Sequence, residues 1–418
     1  MTSIFAIYKV KRLFQHLFYI INVIPCLLFL ILVILLRKLI FIRWYCVVTT
    51  RIGHFISEPL IFMSSRPKNE LIIFYSRPYI CNKYIYKLLK KKFLFLPHSF
   101  MYPLHNITIF FEKFMPFLKD HYVHDYETNF GRDVENKFYD SKYLFELSNS
   151  ENLKGKQLLK KLKIEKSNKI VLLFIRDSEY LKKEYKNAKN WSYHDYRDWN
   201  AQNFIPSIMM LINSGYTVIR MGKTAKYKIN LNHNKFIDLP FTSLRTDFSD
   251  VYLSSICQFG YGTDLGSGHL VNILFRKPFC GFWSSIFEIH TYLKFTMFAN
   301  KRIFWKSNNQ ELSFKEIIKL KLHKNLNHNK LIKEKKIIIK ENSPLEITEI
   351  IEEFLIKIKN NWSQTEQNKL IEDQFWDIYP QNEIIDDSKR NIRYRMHGKK
   401  INSSFSTVFL KNNVSWLN

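Results

Sequence analysis

Between Gly260 and Leu270 the chain reads GYGTDLGSGHL, and this short stretch holds four of the eleven glycines in 418 residues, at 260, 262, 266 and 268. Glycine loses the most conformational freedom on folding, so it concentrates where the backbone takes a positive φ or approaches a ligand closely. The N–H groups of Gly266, Ser267 and Gly268, at the start of a helix and beside Thr263, would form an anion site suited to a diphosphate. A tight strand-to-helix turn without a ligand is the alternative. The pattern is neither a P-loop, which needs Gly-Lys-Ser/Thr, nor a G-x-G-x-x-G dinucleotide motif with its acid about twenty residues on.

Two further groups carry charge in the same half of the chain. Arg176-Asp177-Ser178 directly follows an apolar run, and Lys223 follows YTVIRM and Gly222 in the same way. In open α/β sheets ligands bind at the carboxyl ends of the strands, so Arg176 and Lys223 could both face one phosphate site or serve as solvated loop charges. From Arg176 to Ala201 runs a connection longer than an ordinary βα loop, and such loops are functional or disordered. Its end, YHDYRDW, interleaves Tyr193, Tyr196 and Trp199 with His194, Asp195, Arg197 and Asp198. Rings that stack on flat faces and charges that hold hydroxyls or phosphates suit sugar or base recognition. His194 and Asp195 are candidates for acid–base work, since histidine titrates near neutrality; bracing the loop is the competing role.

Nearer the N-terminus, TTRIGHF repeats the logic. Arg51, Gly53 and His54 stand between a strand and a helix, and His54 is the candidate general base for an acceptor hydroxyl, with phosphate binding or helix capping as alternatives.

The elements that must position these residues alternate. Strands are predicted at Ile42–Val48, Glu70–Ser76 and Phe93–Pro97 around a helix at Cys81–Lys92, and again at Lys169–Ile175, Tyr216–Met221, Phe236–Leu239, the CQFGYG run and after Pro278, with helices between. Short apolar strands alternating with helices imply parallel sheets. The expected fold is α/β, with two Rossmann-like domains, an N-terminal hydrophobic helix and C-terminal helices. The expected boundaries are 1–41, 42–160, 161–345 and 346–418. Residues 315–340, rich in Lys and Asn, read as a solvated insertion. Ser343 and Pro344 open a helix that runs to Lys359.

Lysine and arginine total 64 against 37 acids, a formal charge of +27. That balance favours polyanions, whether nucleic acid, anionic lipid or phosphate-bearing substrates, although an AT-rich genome would also enrich Lys, Ile and Asn. No helix-turn-helix, RRM, KH or finger signature is present, so no nucleic-acid partner is expected. The five cysteines lack metal-ligand or redox spacing, and no metal or cofactor is expected. Leu17 to Leu36 is uncharged, about the length needed to cross a bilayer core. Pro25 also allows a kinked span, a re-entrant hairpin or a helix in the interface. With the basic excess, this places the chain at an anionic membrane surface, on the cytoplasmic face of a bacterial inner membrane, as a peripheral protein or with one N-terminal anchor.

The segments RIGHF, RDSEYL and YHDYRDWNAQNFIPSIMMLINSGYTVIRMG resemble the motifs of a bacterial family of GT-B-type glycosyltransferases associated with cell-surface polysaccharide clusters. The resemblance runs from about Arg43 to the C-terminal FLKNNVSWL. It implies a nucleotide-sugar donor held mainly by the C-terminal domain, a lipid-linked or polysaccharide acceptor, and no essential metal. Arg51, Gly53, His54, Arg176, Asp177, Tyr180, His194, Asp195, Tyr196, Arg197 and Gly222 occupy matching positions. Where that family has a Thr-Ser-Ser-Gly-like turn, this chain has Thr263-Asp264-Leu265-Gly266-Ser267-Gly268. A polyanion-binding protein and a catalytically silent scaffold are the competing readings.

Overall fold

The computed structural model describes residues 21–417 apart from 67–68, 125–126, 129–130, 134–135, 166–168, 180–191, 264, 285–294, 324–329, 381–382, 388–391 and 396–402, and gives only the backbone of 192–194, 333, 384–387 and 392–395. The chain divides into two compact units, with the division in sequence between Gly131 and Arg132.

The first unit opens with helix α1, residues 21–36. It continues through β1 (Phe41–Val47), α2 (Ile52–Ser65), β2 (Glu70–Ser76), α3 (Lys83–Lys90), β3 (Leu94–Phe95) and α4 (His98–Glu112). The strands form a parallel sheet in the order β1-β2-β3, with Phe41 opposite Glu70 and Val47 opposite Ser76. Parallel strands are covered on both faces and therefore read as apolar runs rather than alternating ones. α3 starts where Asn82 accepts the N–H groups of Tyr84 and Ile85, satisfying two of the donors a helix start leaves open. Cys26, Leu30 and Val33 of α1 lie buried against Ile42, Trp44, Ile73, Tyr75, Met101 and Leu104. Each large apolar side chain so buried contributes about 1.5–3 kcal/mol.

The second unit starts with α5 (Asn149–Lys161), which carries a capping box between Ser148 and Glu151. Its sheet has seven strands in the order β14-β9-β8-β7-β4-β5-β6, and every pairing is parallel. From β4 (Lys169–Phe174) the chain lays β5 (Tyr216–Met221) and β6 (Phe236–Asp238) outward on one side. It then crosses back to place β7 (Phe259–Thr263), β8 (Phe279–Trp283), β9 (Thr296–Asn300) and β14 (Ser404–Phe405) on the other. That reversal between β4 and β7 is the doubly wound, Rossmann-type order, and it opens a crevice at the carboxyl ends of those two strands.

The expected α/β class therefore holds, with a hydrophobic N-terminal helix and helices near the C-terminus. Pro344–Lys359 forms as expected, with Ser343 and Glu346 completing a capping box. The last residues do pack onto the body: Phe405 and Trp416 stack with Phe314 and Phe375. They also add β14 to the edge of the main sheet. The lysine-rich tract departs from its expected solvated form, because Ile337–Lys340 (β11) pairs antiparallel with β10 (Arg302–Trp305), and Phe314, Ile317 and Leu322 are buried. Lysines at the surface concealed enough spaced apolar side chains to anchor a small layer. Two short strands, β12 (Ile384–Asp387) and β13 (Ile392–Arg395), make a separate antiparallel pair.

The seam between β4 and β7 depends on one missing side chain. Gly262 has φ +135°, and a Cβ there would lie 1.9 Å from the carbonyl oxygen of Phe174. Gly262→Ala is expected to cost more than about 3 kcal/mol, combining backbone strain with collision against a backbone atom that has no room to move. Gly215→Ala, at φ +89° with open space around it, should cost only about 1–2 kcal/mol. Urea unfolding of the two variants checks the contrast.

Candidate functional site

The crevice at the switch point is built from backbone first. The N–H of Arg176 donates to Thr263 Oγ1 at 2.8 Å, tying the tip of β4 to the tip of β7. The N–H of Leu265 donates to Thr263 O, and that of Gly268 to Leu265 O, winding the chain into a short turn, Gly266–Gly268. A single π-helical turn, Leu270–Leu274, follows. No described residue accepts from the N–H of Gly266 or Ser267, and Ser267 Oγ is buried without a hydrogen-bond partner. The remaining glycines have packing explanations: a Cβ at Gly260 or Gly268 would press on the ring of Phe279. The glycine cluster thus marks a tightly packed seam as well as a turn. Asp264 lies outside the described residues.

Around Arg176 the structure gathers several of the residues singled out from sequence. Its guanidinium pairs with Asp198, and its carbonyl accepts the N–H of Trp199 at 3.1 Å. Burial raises the Asp198 carboxyl above its ordinary range. Arg176 and the Ser178 hydroxyl pull it down, while Asp195 and Asp177 push it up. Arg176, Asp177, Ser178 and Asp195 therefore share one electrostatic neighbourhood centred on Asp198. Arg176 is buried and its charge is met by Asp198, so it braces the loop in addition to lending positive charge to the crevice. The backbone of His194, Tyr196 and Arg197 belongs to a 3-10 helix, Ser192–Arg197; the His194 side chain lies outside the described residues, as does Tyr180.

Lys301, just past β9, clamps that helix from the far side. Its ammonium donates to the carbonyls of Tyr196 and Asp198 and sits 4.6 Å from the centre of the Trp199 ring. Glu341 lies 3.9 Å away and accepts the N–H of Asn200 and the Nδ2 of Asn203. A buried ammonium needs such company, since desolvation without partners is costly. On the other side of β4, buried Arg220 donates to Tyr227 O at 2.8 Å and lies 3.4 Å from Asp238 and 3.8 Å from Asp177. Asp177 in turn accepts the N–H of Lys226. Asp177 thus ties the loop after β5 to the tip of β4.

Lys223 opens that same loop, and its charge acts on Asp250, at the start of the helix Asp247–Ile256. Arg245 pairs with Asp250.

In the first unit the strand tips are also laced together. Thr49 Oγ1 donates to Tyr79 O at 2.6 Å, and its carbonyl accepts the N–H of Cys81. Arg51 is the N-cap residue of α2, and Gly53 and His54 form its first turn. His54 Nδ1 is 2.6 Å from Glu58 Oε1. The other carboxylate oxygen of Glu58 accepts from Tyr45 OH at 3.4 Å. Glu58 is buried, whereas the His54 side chain is 38% exposed. With Nδ1–H donating to a fixed carboxylate, the tautomer leaves Nε2 as an acceptor toward solvent, and no described residue occupies it. A second histidine stands at the tip of β3: His98 Nδ1 bonds Ser76 O at 2.9 Å, and its ring stacks on Tyr102 at 5.1 Å. Burial holds the His98 imidazole below its usual pKa, against the pull of the Ser76 carbonyl.

Glu58 was legible as a partner from its i+4 spacing on one helix. Lys301 and Glu341 carried no such signal, because each is an isolated polar residue whose partners lie far along the chain; Arg220 and His98 were not singled out either. Among the described residues no group of three or more His, Cys, Asp or Glu is placed to hold a metal ion.

No family model and no curated protein sequence matches the chain. Among solved structures it is similar to E. coli ADP-heptose lps heptosyltransferase II, at 11% identity and a TM-score of 0.35 over 58% of this chain and 85% of that one. It is also similar to the glycosyl transferase family 9 protein of Veillonella parvula DSM 2008, at 9% identity and a TM-score of 0.39 over 63% of this chain and 87% of that one.

Burial pushes the Asp250 carboxyl up to about 6, against the attraction of Arg245 and, more weakly, of Lys223. A carboxyl whose folded pKa lies above its unfolded value contributes stability that is present below about pH 4 and is lost as pH rises through about 6, an effect of roughly 3 kcal/mol. Asp250→Asn should remove that slope. Melting temperatures of wild type and variant across the interval check it: the wild type should lose ground relative to the variant as pH climbs.

Proposed function

We propose that the protein is a glycosyltransferase that moves a sugar from a nucleotide-activated donor to a hydroxyl of a lipid-linked or cell-surface polysaccharide acceptor. The observation that carries this reading is the doubly wound sheet whose switch point is lipped by Arg176, Thr263 and the Gly266–Gly268 turn. A crevice there, with backbone donors and an unpartnered hydroxyl from Ser267, suits the diphosphate of a nucleotide sugar. The resemblance of RIGHF, RDSEYL and YHDYR to the polysaccharide-cluster family points the same way.

In this mechanism the donor diphosphate sits on the Gly266 and Ser267 N–H groups, with Ser267 Oγ as a third donor. An acceptor oxygen bonds to the anomeric carbon as the bond from that carbon to phosphate breaks. The electron pair leaves with the nucleoside diphosphate, whose growing charge meets preorganised donors and the nearby cations Arg176 and Lys301. Tyr196 and Arg197, held on the braced 3-10 helix, line the donor side together with Asp195. His54 accepts the acceptor's proton at Nε2, and Glu58 holds the ring and steadies the imidazolium formed. Arg51 and Gly53 shape the acceptor side of the same turn. His194 belongs to the donor loop.

Nucleoside diphosphates and nucleotide sugars, offered one at a time to the intact protein, should include one that raises the melting temperature, because a ligand held by the native state stabilises it. If none of the UDP, GDP, CMP and ADP series moves it, the donor assignment fails. With the responding donor and an acceptor, His54→Ala should lower kcat by about 10²–10⁴-fold while leaving the donor-induced shift intact. Glu58→Gln, which keeps shape but not charge, should lower it by about tenfold. Unchanged kcat in His54→Ala would remove it from the reaction.

A further inference from the structure

The outer face of α1 is apolar and exposed. Cys26, Leu30 and Val33 recur at the helical period and are buried in the first unit's core. Ile24, Leu28, Ile31 and Leu35 occupy the opposite face at the same period, and Ile24, Leu28 and Leu35 are 69%, 63% and 73% exposed. Both faces are thus hydrophobic, and among the described residues only the inner one is buried against protein. The same unit exposes further apolar side chains: Phe29 of α1 packs edge-on against Phe100 of α4, and at the far end of α4 Phe110 and Phe114 are exposed, with Phe110 in ring contact with Phe111 and Phe114. Exposed apolar side chains on this scale are uncommon on a protein that meets only water.

The charge around this surface is mainly positive, with Asp120 paired to Arg37 and Glu112 closing α4 as the acids beside it. The first acidic residue of the chain is Glu58, while Lys9, Lys11, Arg12, Arg37 and Lys38 flank the apolar segment. Arg37 leaves the end of α1 stacked on Phe117, 4.7 Å from its centre, and Lys38 is exposed. Lys113 adjoins Phe114 at the end of α4. An apolar helix that carries no acid of its own and is flanked mainly by cations matches a bilayer with anionic headgroups, where hydrocarbon takes the side chains and the phosphates take the lysines and arginines.

We propose that α1 lies in the plane of an anionic membrane, with the Ile24–Leu28–Leu35 face sunk into one leaflet and the Cys26–Leu30–Val33 face remaining in the protein core. A crossing orientation conflicts with the same contacts. The inner face of α1 packs on β1 and β2, so carrying it through the hydrocarbon would take strand edges and the charged Arg43 and Glu70 with it. Among the described residues no helix is long and apolar enough to cross a membrane. This docking stands apart from the transferase reading: it concerns a different surface and needs no donor.

The test is flotation of the full chain with phosphatidylcholine vesicles, with and without phosphatidylglycerol. Wild type should float with the anionic vesicles and much less with the neutral ones. Replacing Ile24, Leu28 and Leu35 together by Asp should lower binding by at least about tenfold. Because all three side chains are exposed, the circular dichroism spectrum and the nucleotide-induced thermal shift should not change, which separates a docking failure from a failure of the donor site. No flotation of the wild type, equal binding to both vesicle types, or equal flotation of the variant overturns the proposal. So does a lipid-free dimer in sedimentation that the same three changes dissociate, which would make a second copy the occupant. In membrane vesicles of expressing cells, trypsin should reach the body and the sites after Lys9, Lys11 and Arg12 from the same side. Cleavage of one with protection of the other would mean that α1 crosses.

Discussion

Everything in the larger unit is arranged around the approach of β7 to β4. Parallel strands separated by a long crossover have no hairpin to hold them in register, so the contact must be secured by backbone packing and hydrogen bonds. Gly262 lets β7 come against Phe174 without a side chain between them, and Thr263 accepts the N–H of Arg176 directly beyond. The result is a fixed crevice at the point where strand order reverses. A looser seam would leave the Gly266 turn without a defined position relative to the tip of β4.

Charges at the strand tips serve first to hold loops and only then to attract a ligand. Arg176, Arg220 and Lys301 are buried cations, each supplied with carboxylates or carbonyl oxygens. Removing a charge from water is expensive, and what offsets the cost is the number and geometry of those partners. The end of the long connection, YHDYRDW, is held in this way: Asp198 is gripped by Arg176, and the carbonyls of Tyr196 and Asp198 by Lys301.

The smaller unit combines two demands on a short stretch of chain. α1 supplies core on one face and an exposed apolar surface on the other, while His54 and His98 follow the tips of β1 and β3. In His54 and Glu58 a single helical turn sets both orientation and tautomer, because i and i+4 residues share a face.

Much of the framework was legible along the chain. Glu70–Ser76 and Tyr216–Met221 form as read, and the helix Pro344–Lys359 starts at the cap its sequence proposed, because β-branched runs, caps and helical spacing act over a few residues. The Arg176-Asp177-Ser178 and Gly266 segments were also found, since strand ends and glycine turns leave local marks. What each residue does was decided only by folding. Asp177 bonds a loop forty-nine positions away, Lys301 reaches back to Asp198, and two C-terminal residues join the edge of the main sheet as β14. The hydrophobicity of residues 21–36 could not say which face of α1 meets protein, because both faces are apolar. Composition and spacing are short-range properties, whereas ion pairing, register and burial follow from which distant segments come within a few ångströms of one another.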